Sequence, residues 1–337
     1  MEKDKVNPLG TEPVGRLLRK FAIPSIISML VTSLYNIVDQ FFIGRTVGEL
    51  GNAATNIAFP LTTMCLAAML ALGIGGAAGF NLNMGAGNKK KAMYFIGNAL
   101  TVMFGVGVVI ALISLFFMEP LLKFFGSPDS VLPYAKEYVG VVAFGFPFVM
   151  VANGGSHLVR ADGSPKFSMY CNLVGAIINV ILDYLFVMRF WMGECQEQLF
   201  ATVIGQIVSF MMVVWYMRHY KTAKIERKHL IPCKEFVFRT LHLGMAQGLN
   251  QLAMMIVQIV MNKSLKYYGG LSIYGASIPI ACAGIIMKVN QLYFSICIGV
   301  AQGIQPIASF NTGAGNYDRV KKTYKIAVTC NTVVSTI

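Results

Sequence analysis

Eight runs of about 20 or more residues, at 17–43, 54–82, 92–118, 133–158, 167–189, 199–217, 236–262 and 273–305, are apolar almost throughout, and a ninth begins near 320. In hydrocarbon each unpaired backbone N–H or C=O costs several kcal/mol, so a spanning segment must be a helix or a strand of a closed barrel. A helix needs about 20 residues to cross a bilayer and a barrel strand about 10. These runs are too long and too continuous for strands. The expected fold is therefore an all-α polytopic membrane protein of about nine helices. Composition agrees: 55% of residues are hydrophobic and only 13% charged, with a mean hydropathy of +0.61, outside the balance of a soluble globule.

The net charge of +13 would suit a nucleic-acid partner, but its distribution fits membrane topology instead. Placing residues 1–16 and the alternate loops on one side puts 21 Lys and Arg there against six opposite, with Lys288 inside a span. The positive-inside rule then makes that side, and the N-terminus, cytoplasmic. The polar opening residues read as a cytoplasmic tail and not a signal peptide. The seven cysteines are scattered without metal or redox spacing and read as small packing residues.

The basic stretch 218–235 divides the chain. NMGAGNKKKA from Asn83 recurs as NTGAGNYDRV from Asn311, an offset of 228 residues that also relates Gly75 to Gly303. Each copy follows the second helix of its half in the same orientation. That predicts two parallel six-helix lobes related by an axis along the membrane normal, a common transporter plan. Residues 17–217 form a complete first lobe. Residues 236–337 hold helices 7, 8 and the start of 9, so the repeat calls for further helices than this sequence contains. GIGGAAG (73–79) resembles a dinucleotide fingerprint, but no strand precedes it, and close helix packing explains it better. GAGN reads as a helix C-cap and tight turn.

Asp39 and Asp183 are carboxylates inside spans, where a charge costs about 2.5–3.5 kcal/mol and usually faces a bundle interior or an aqueous path. In helix 1, Ser25, Ser28, Thr32, Tyr35 and Asp39 recur at steps of 3, 4, 3 and 4, one polar stripe on one face. In helix 5, Asn179 lies one turn before Asp183, beside Ser168 and Asn172. Helix 6 offers Thr202 and Gln206, and helix 4 Tyr138, Asn153 and Ser156. Oxygen ligands without His or Cys suit a hard cation such as Na+, or a proton on a carboxylate. Interhelical hydrogen bonding is the competing role for the amides and hydroxyls. Pro24 removes a backbone hydrogen bond below the stripe and provides a bend. Lys288 is either a second-half coupling or substrate residue or a snorkelling side chain.

The segments LGTEPVGRLLRKFAIPSIISMLVTSLYNIVDQFFIG, GAGN, RADGSPK, NVILDYLF, ATVIGQ and QPIASFNTGAGN, in this order, resemble the bacterial MATE (multidrug and toxic-compound extrusion) transporters over nearly the whole chain. The resemblance implies two lobes around a cavity and export of amphipathic or cationic drug-like compounds by antiport with Na+ or H+. It maps a first-lobe cation site onto Asp39, Asn179, Asp183 and Thr202. Tyr35 joins the site from the stripe, Tyr138 and Asn153 match the supporting network, and Pro24 matches the family's bend. It further implies a multi-pass protein of the bacterial inner membrane, monomeric, without cofactor or nucleic-acid partner. GECQEQLFAT departs from the family's small residues at Glu197 and Gln198.

Two other transporter readings remain: a flippase of lipid-linked oligosaccharide or phospholipid, and a nonfunctional fragment. A flippase would be expected to set several Lys or Arg in its cavity; Lys288 alone qualifies. An intramembrane enzyme would need a nucleophile–base or metal constellation, and His157, His219, His229 and His242 have no such spacing.

Overall fold

The computed structural model describes residues 7–46, 48–189, 195–273 and 277–336; within them the side chains at 39–46, 48–52, 186–189, 195–199, 262, 266, 277–278, 280–281 and 285 lie outside the description. The chain runs through α1 (Pro8–Thr11), α2 (Val14–Thr46), α3 (Gly48–Gly85), α4 (Lys89–Phe116), α5 (Met118–Phe124), α6 (Leu132–Ala161), α7 (Pro165–Arg189), α8 (Cys195–Arg218), α9 (Arg227–Leu230), α10 (Lys234–Gly270), α11 (Ser277–Gly313) and α12 (Tyr317–Thr336). No strand occurs among the described residues.

Eight of these helices are long and apolar enough to cross a membrane, and they fall on the eight predicted runs. Large apolar side chains cover their outer surfaces, Phe144, Ile256 and Val289 each more than half exposed, as lipid contact requires. Of the ninth helix only the start is expected. It is helical as α12, but Asp318, Arg319, Lys321, Lys322 and Lys325 crowd its first half, and α12 is not among the helices apolar enough to span. The short α1, α5 and α9 escaped the sequence reading because four to seven residues carry no usable period.

The 228-residue repeat reappears in the bonding of the two GAGN turns. Gly87 and Gly315 take the left-handed conformation, at φ 79° and 73°, which only glycine adopts without strain. Ala86 N–H donates to the Leu82 carbonyl at 3.0 Å and Ala314 N–H to that of Phe310 at 3.0 Å. Asn88 N–H reaches the Asn83 carbonyl at 2.8 Å and Asn316 N–H that of Asn311 at 2.8 Å. Bond for bond, the turns are equivalent.

Packing follows the same symmetry. α3 packs against α4 and α6 on one side and α10 and α11 on the other, while α2 lies between α7 and α11. Where α3 crosses α11, a Cβ on Gly85 would overlap the Phe310 carbonyl, and one on Gly313 the Leu82 carbonyl. The offset turns each contact into the other, so this crossing lies on the axis relating the repeats. Away from it, Gly75 meets α10 at Thr240, and its counterpart Gly303 meets α2 at Ala22. Lipid offers helices little hydrophobic incentive to associate, so small residues that let backbones approach closely do the work.

The basic ends of the helices are tied across this interface. Buried Asn311 donates to the Leu9 carbonyl at 2.9 Å, and Arg319 donates to the carbonyls of Leu9 (3.2 Å) and Glu12 (2.7 Å) and to Asn311 Oδ1 (3.1 Å). Leu9, Leu17 and Phe21 bury against Ile307 and Phe310. Residues 8–12, inside the stretch read as a tail, are thus docked on the second half. The stretch after α8 is held by Asp162, which accepts from the Tyr216 hydroxyl (2.9 Å), the N–H groups of Lys221 (2.7 Å) and Thr222 (3.1 Å), and the Thr222 hydroxyl. Burial raises the Asp162 pKa against the opposing pull of these donors.

The α3–α11 crossing makes a direct prediction. Gly85→Ala should lower stability by about 1–3 kcal/mol through overpacking, whereas Gly105→Ala, with nothing within 4 Å of its Cβ, should not. Thermal unfolding of both variants in detergent checks this.

Candidate functional site: a polar pocket between four helices

The stripe on α2 turns inward as its spacing requires. Ser25 and Ser28 are buried. Ser25 satisfies its hydroxyl on the Phe21 carbonyl at 2.8 Å and Thr32 on that of Ser28 at 2.9 Å. Asn172 of α7 donates to Ser28 Oγ at 2.8 Å. One turn on, Thr32 and Tyr35 line a small cavity of about 90 Å³ with Asn153, Asn172, Asn179, Thr202, Gln206 and Ser209. Its lining therefore comes from α2, α6, α7 and α8.

Glycine sets the α7–α8 separation here. A Cβ on Gly205 would press on the Gly175 carbonyl and on Asn179, so the bare backbone lets Asn179 reach across to α8. With its amide oxygen accepting from Thr202 N–H at 3.1 Å and Thr202 hydroxyl at 3.0 Å, the Asn179 nitrogen donates to Asp183 Oδ2 at 3.1 Å. The opposite amide orientation keeps a 3.0 Å contact to Thr202 Oγ1 but points nitrogen at an N–H donor, so the first is chosen. Asp183 is wholly buried and Asn179 nearly so. The carboxylate stands one turn behind the pocket wall, linked to it by Asn179.

Of the residues expected at a cation site, the structure thus brings together Asn179, Asp183 and Thr202, with Tyr35 and Asn153 on the same cavity. Asp39 lies in α2 one turn beyond Tyr35, and its side chain is outside the described residues, as are those of Glu197 and Gln198 at the start of α8. Tyr138 lines neither this cavity nor the next; it stands one turn before Val142 on the α6 stripe that continues through Phe146 and Val149 to Asn153. α2 runs unbroken through Pro24, so the bend expected there is not an interruption of the helix. Lys288 is exposed, apart from both cavities, seven residues before Ser295, whose hydroxyl meets that of Ser33 at 2.5 Å.

A second cavity, of about 300 Å³, lies against the first. Val149, Asn153 and Gln206 line both and form the wall between them. Its remaining lining mixes Phe59, Leu66, Met69 and Phe146 with Asn36, Thr62, Thr63 and Gln251. The sequence reading passed over those last four polar residues. The amides Gln247, Asn250, Gln251 and Gln258 inside one apolar run were the available signal.

Oxygen-rich and free of thiol or imidazole, the Asn179–Asp183–Thr202 cluster fits a proton or a hard cation. Its cohesion is measurable: a double-mutant cycle of Asn179→Ala and Thr202→Val should give a coupling of about 0.6 kcal/mol or more, read from thermal unfolding.

Comparison with known proteins gives the assembly a family. The model of the MatE family matches residues 24–185 and 247–337, which takes in the α2, α6 and α7 walls of the pocket and leaves α8 outside. The probable multidrug resistance protein YoeA of Bacillus subtilis (strain 168) is 24% identical over 328 residues, covering 95% of this chain and 69% of its own length. The multidrug export protein MepA of Staphylococcus haemolyticus (strain JCSC1435) is 23% identical over 321 residues, with 95% and 69% covered. A solved multidrug resistance MATE family transporter of the MOP superfamily, in its outward-facing conformation, superposes with a TM-score of 0.89 at 20% identity, over 99% of this chain and 73% of that one. With a family model matched on both sides of its basic central stretch, this chain belongs to the MatE family of transporters.

Proposed function

We propose that the protein is a cation-coupled exporter of amphipathic drug-like compounds, working by antiport with Na+ or H+ in a bacterial inner membrane, N-terminus in the cytoplasm. The carrying observation is the wall shared by the two cavities. One side holds the Asn179–Asp183–Thr202 cluster; the other is an apolar cleft with amides and hydroxyls suited to varied ligands. A cation or proton arriving at Asp183 and Asp39 neutralises the carboxylates. The change reaches the cleft through Asn153 and Gln206, with Pro24 giving α2 the freedom to bend. The cleft then contracts and the compound leaves outward; release of the cation inside restores it. Among the described residues no Lys or Arg lines either cavity, which counts against a flippase for phosphate-bearing lipids.

Ethidium efflux from cells producing the protein tests the coupling. Asp183→Asn and Asp39→Asn should each lower it about tenfold or more, in keeping with lost general coupling at an intramembrane carboxylate. Replacing external Na+ by K+, or adding a protonophore, then separates the two cations. Efflux left unchanged in both variants would sink the coupling role.

A further inference from the structure

Between α4, α6 and α8, on the side where the basic loops emerge, lies a third cavity of about 470 Å³ that neither the family nor the exporter reading uses. Its walls are apolar and include, away from Arg218, Phe104 and Phe210, whose rings lie 6.4 Å apart. At its mouth stands a single charge, Arg218, the last residue of α8. From Phe210 to Arg218 the helix rises about 12 Å at 1.5 Å per residue, against about 15 Å for one leaflet of a hydrocarbon core of about 30 Å. The crevice therefore has the depth of an acyl chain, with a cation at headgroup level.

Ile225 and Leu230 of the basic stretch roof the crevice, and that roof is fixed. Asn98 donates to the His229 carbonyl at 3.1 Å and accepts from Cys233 N–H at 2.6 Å, holding α9 on α4. Arg218 is exposed and meets no carboxylate among the described residues. Glu226, the acid next to Ile225, is paired with Lys228 at 2.5 Å, which holds its carboxyl below the usual range. Lys224 and Arg227 stay exposed beside the mouth. The charged part of a cationic amphipathic drug would meet repulsion from Arg218 at the mouth.

We infer that this crevice binds one anionic phospholipid from the leaflet on the basic side, its acyl chain between α4 and α8 and its phosphate on Arg218. Basic groups at a membrane surface attract anionic lipid by about fivefold each, and an apolar slot ending at a cation selects for the lipid's two parts at once.

The test is native mass spectrometry of the purified protein released from nanodiscs of equal phosphatidylglycerol and phosphatidylcholine. One phosphatidylglycerol should be retained, preferred about fivefold or more over phosphatidylcholine. Arg218→Gln should lower that ratio about fivefold. Thr101→Trp, which fills the crevice and leaves the charge in place, should abolish retention of the lipid altogether. Lys322→Gln, on the basic side but remote in α12, should change nothing. Equal retention of the two lipids by the unsubstituted protein, a preference left unchanged by Arg218→Gln, or displacement of the lipid by ethidium would each overturn the assignment.

Discussion

The backbone contact between α3 and α11 holds the rest of the molecule in place. In water, two amphipathic helices are driven together by burial; in hydrocarbon that drive is absent, and dispersion between closely approaching backbones must replace it. Gly85 against Phe310 and Gly313 against Leu82 provide such an approach where the two repeats meet. Because the contact is its own image under the repeat, neither half dominates it. The flanking contacts of Gly75 with α10 and Gly303 with α2 keep the same spacing on both sides.

That rigid centre explains why the polar pocket lies off to one side, among α2, α6, α7 and α8. There the helices are parted by side chains and not fused at the backbone, except at Gly175 and Gly205. A buried carboxylate tolerated in hydrocarbon needs donors already in position, and the short α7–α8 distance lets Asn179 act as one. The pocket is small because it is tight, and its coupling to the larger cavity runs through side chains, not through shared empty space.

Much of the fold was legible because hydrophobic length is a crude signal that tertiary context cannot override in a membrane. The stripe from Ser25 to Tyr35 was legible for the same reason: few polar residues break the apolar runs, so their phase stands out. The turns at Gly87 and Gly315 followed from a repeated word. Where signal failed, the cause was local. α12, expected only as the start of a ninth helix, carries five charges in its first ten residues, which an apolar run begun near 320 does not reveal. α1 and α9 are too short to show a period. Thr62, Thr63 and Gln251 were invisible as a group because they converge only after α3 and α10 have packed, and no spacing within one helix reports that.

The clasp on α1 has a bearing on how such a chain is made. Leu9 lies 302 residues from the Asn311 amide and 310 from the Arg319 guanidinium that hold it, so the docking of this first helix is among the longest-range closures in the molecule. Synthesis and insertion proceed from the N-terminus, and contacts of such separation form last. The α1 segment thus waits, undocked, through the insertion of every helix between it and its receptor. Its seating reports that α11 and the start of α12 have reached their places.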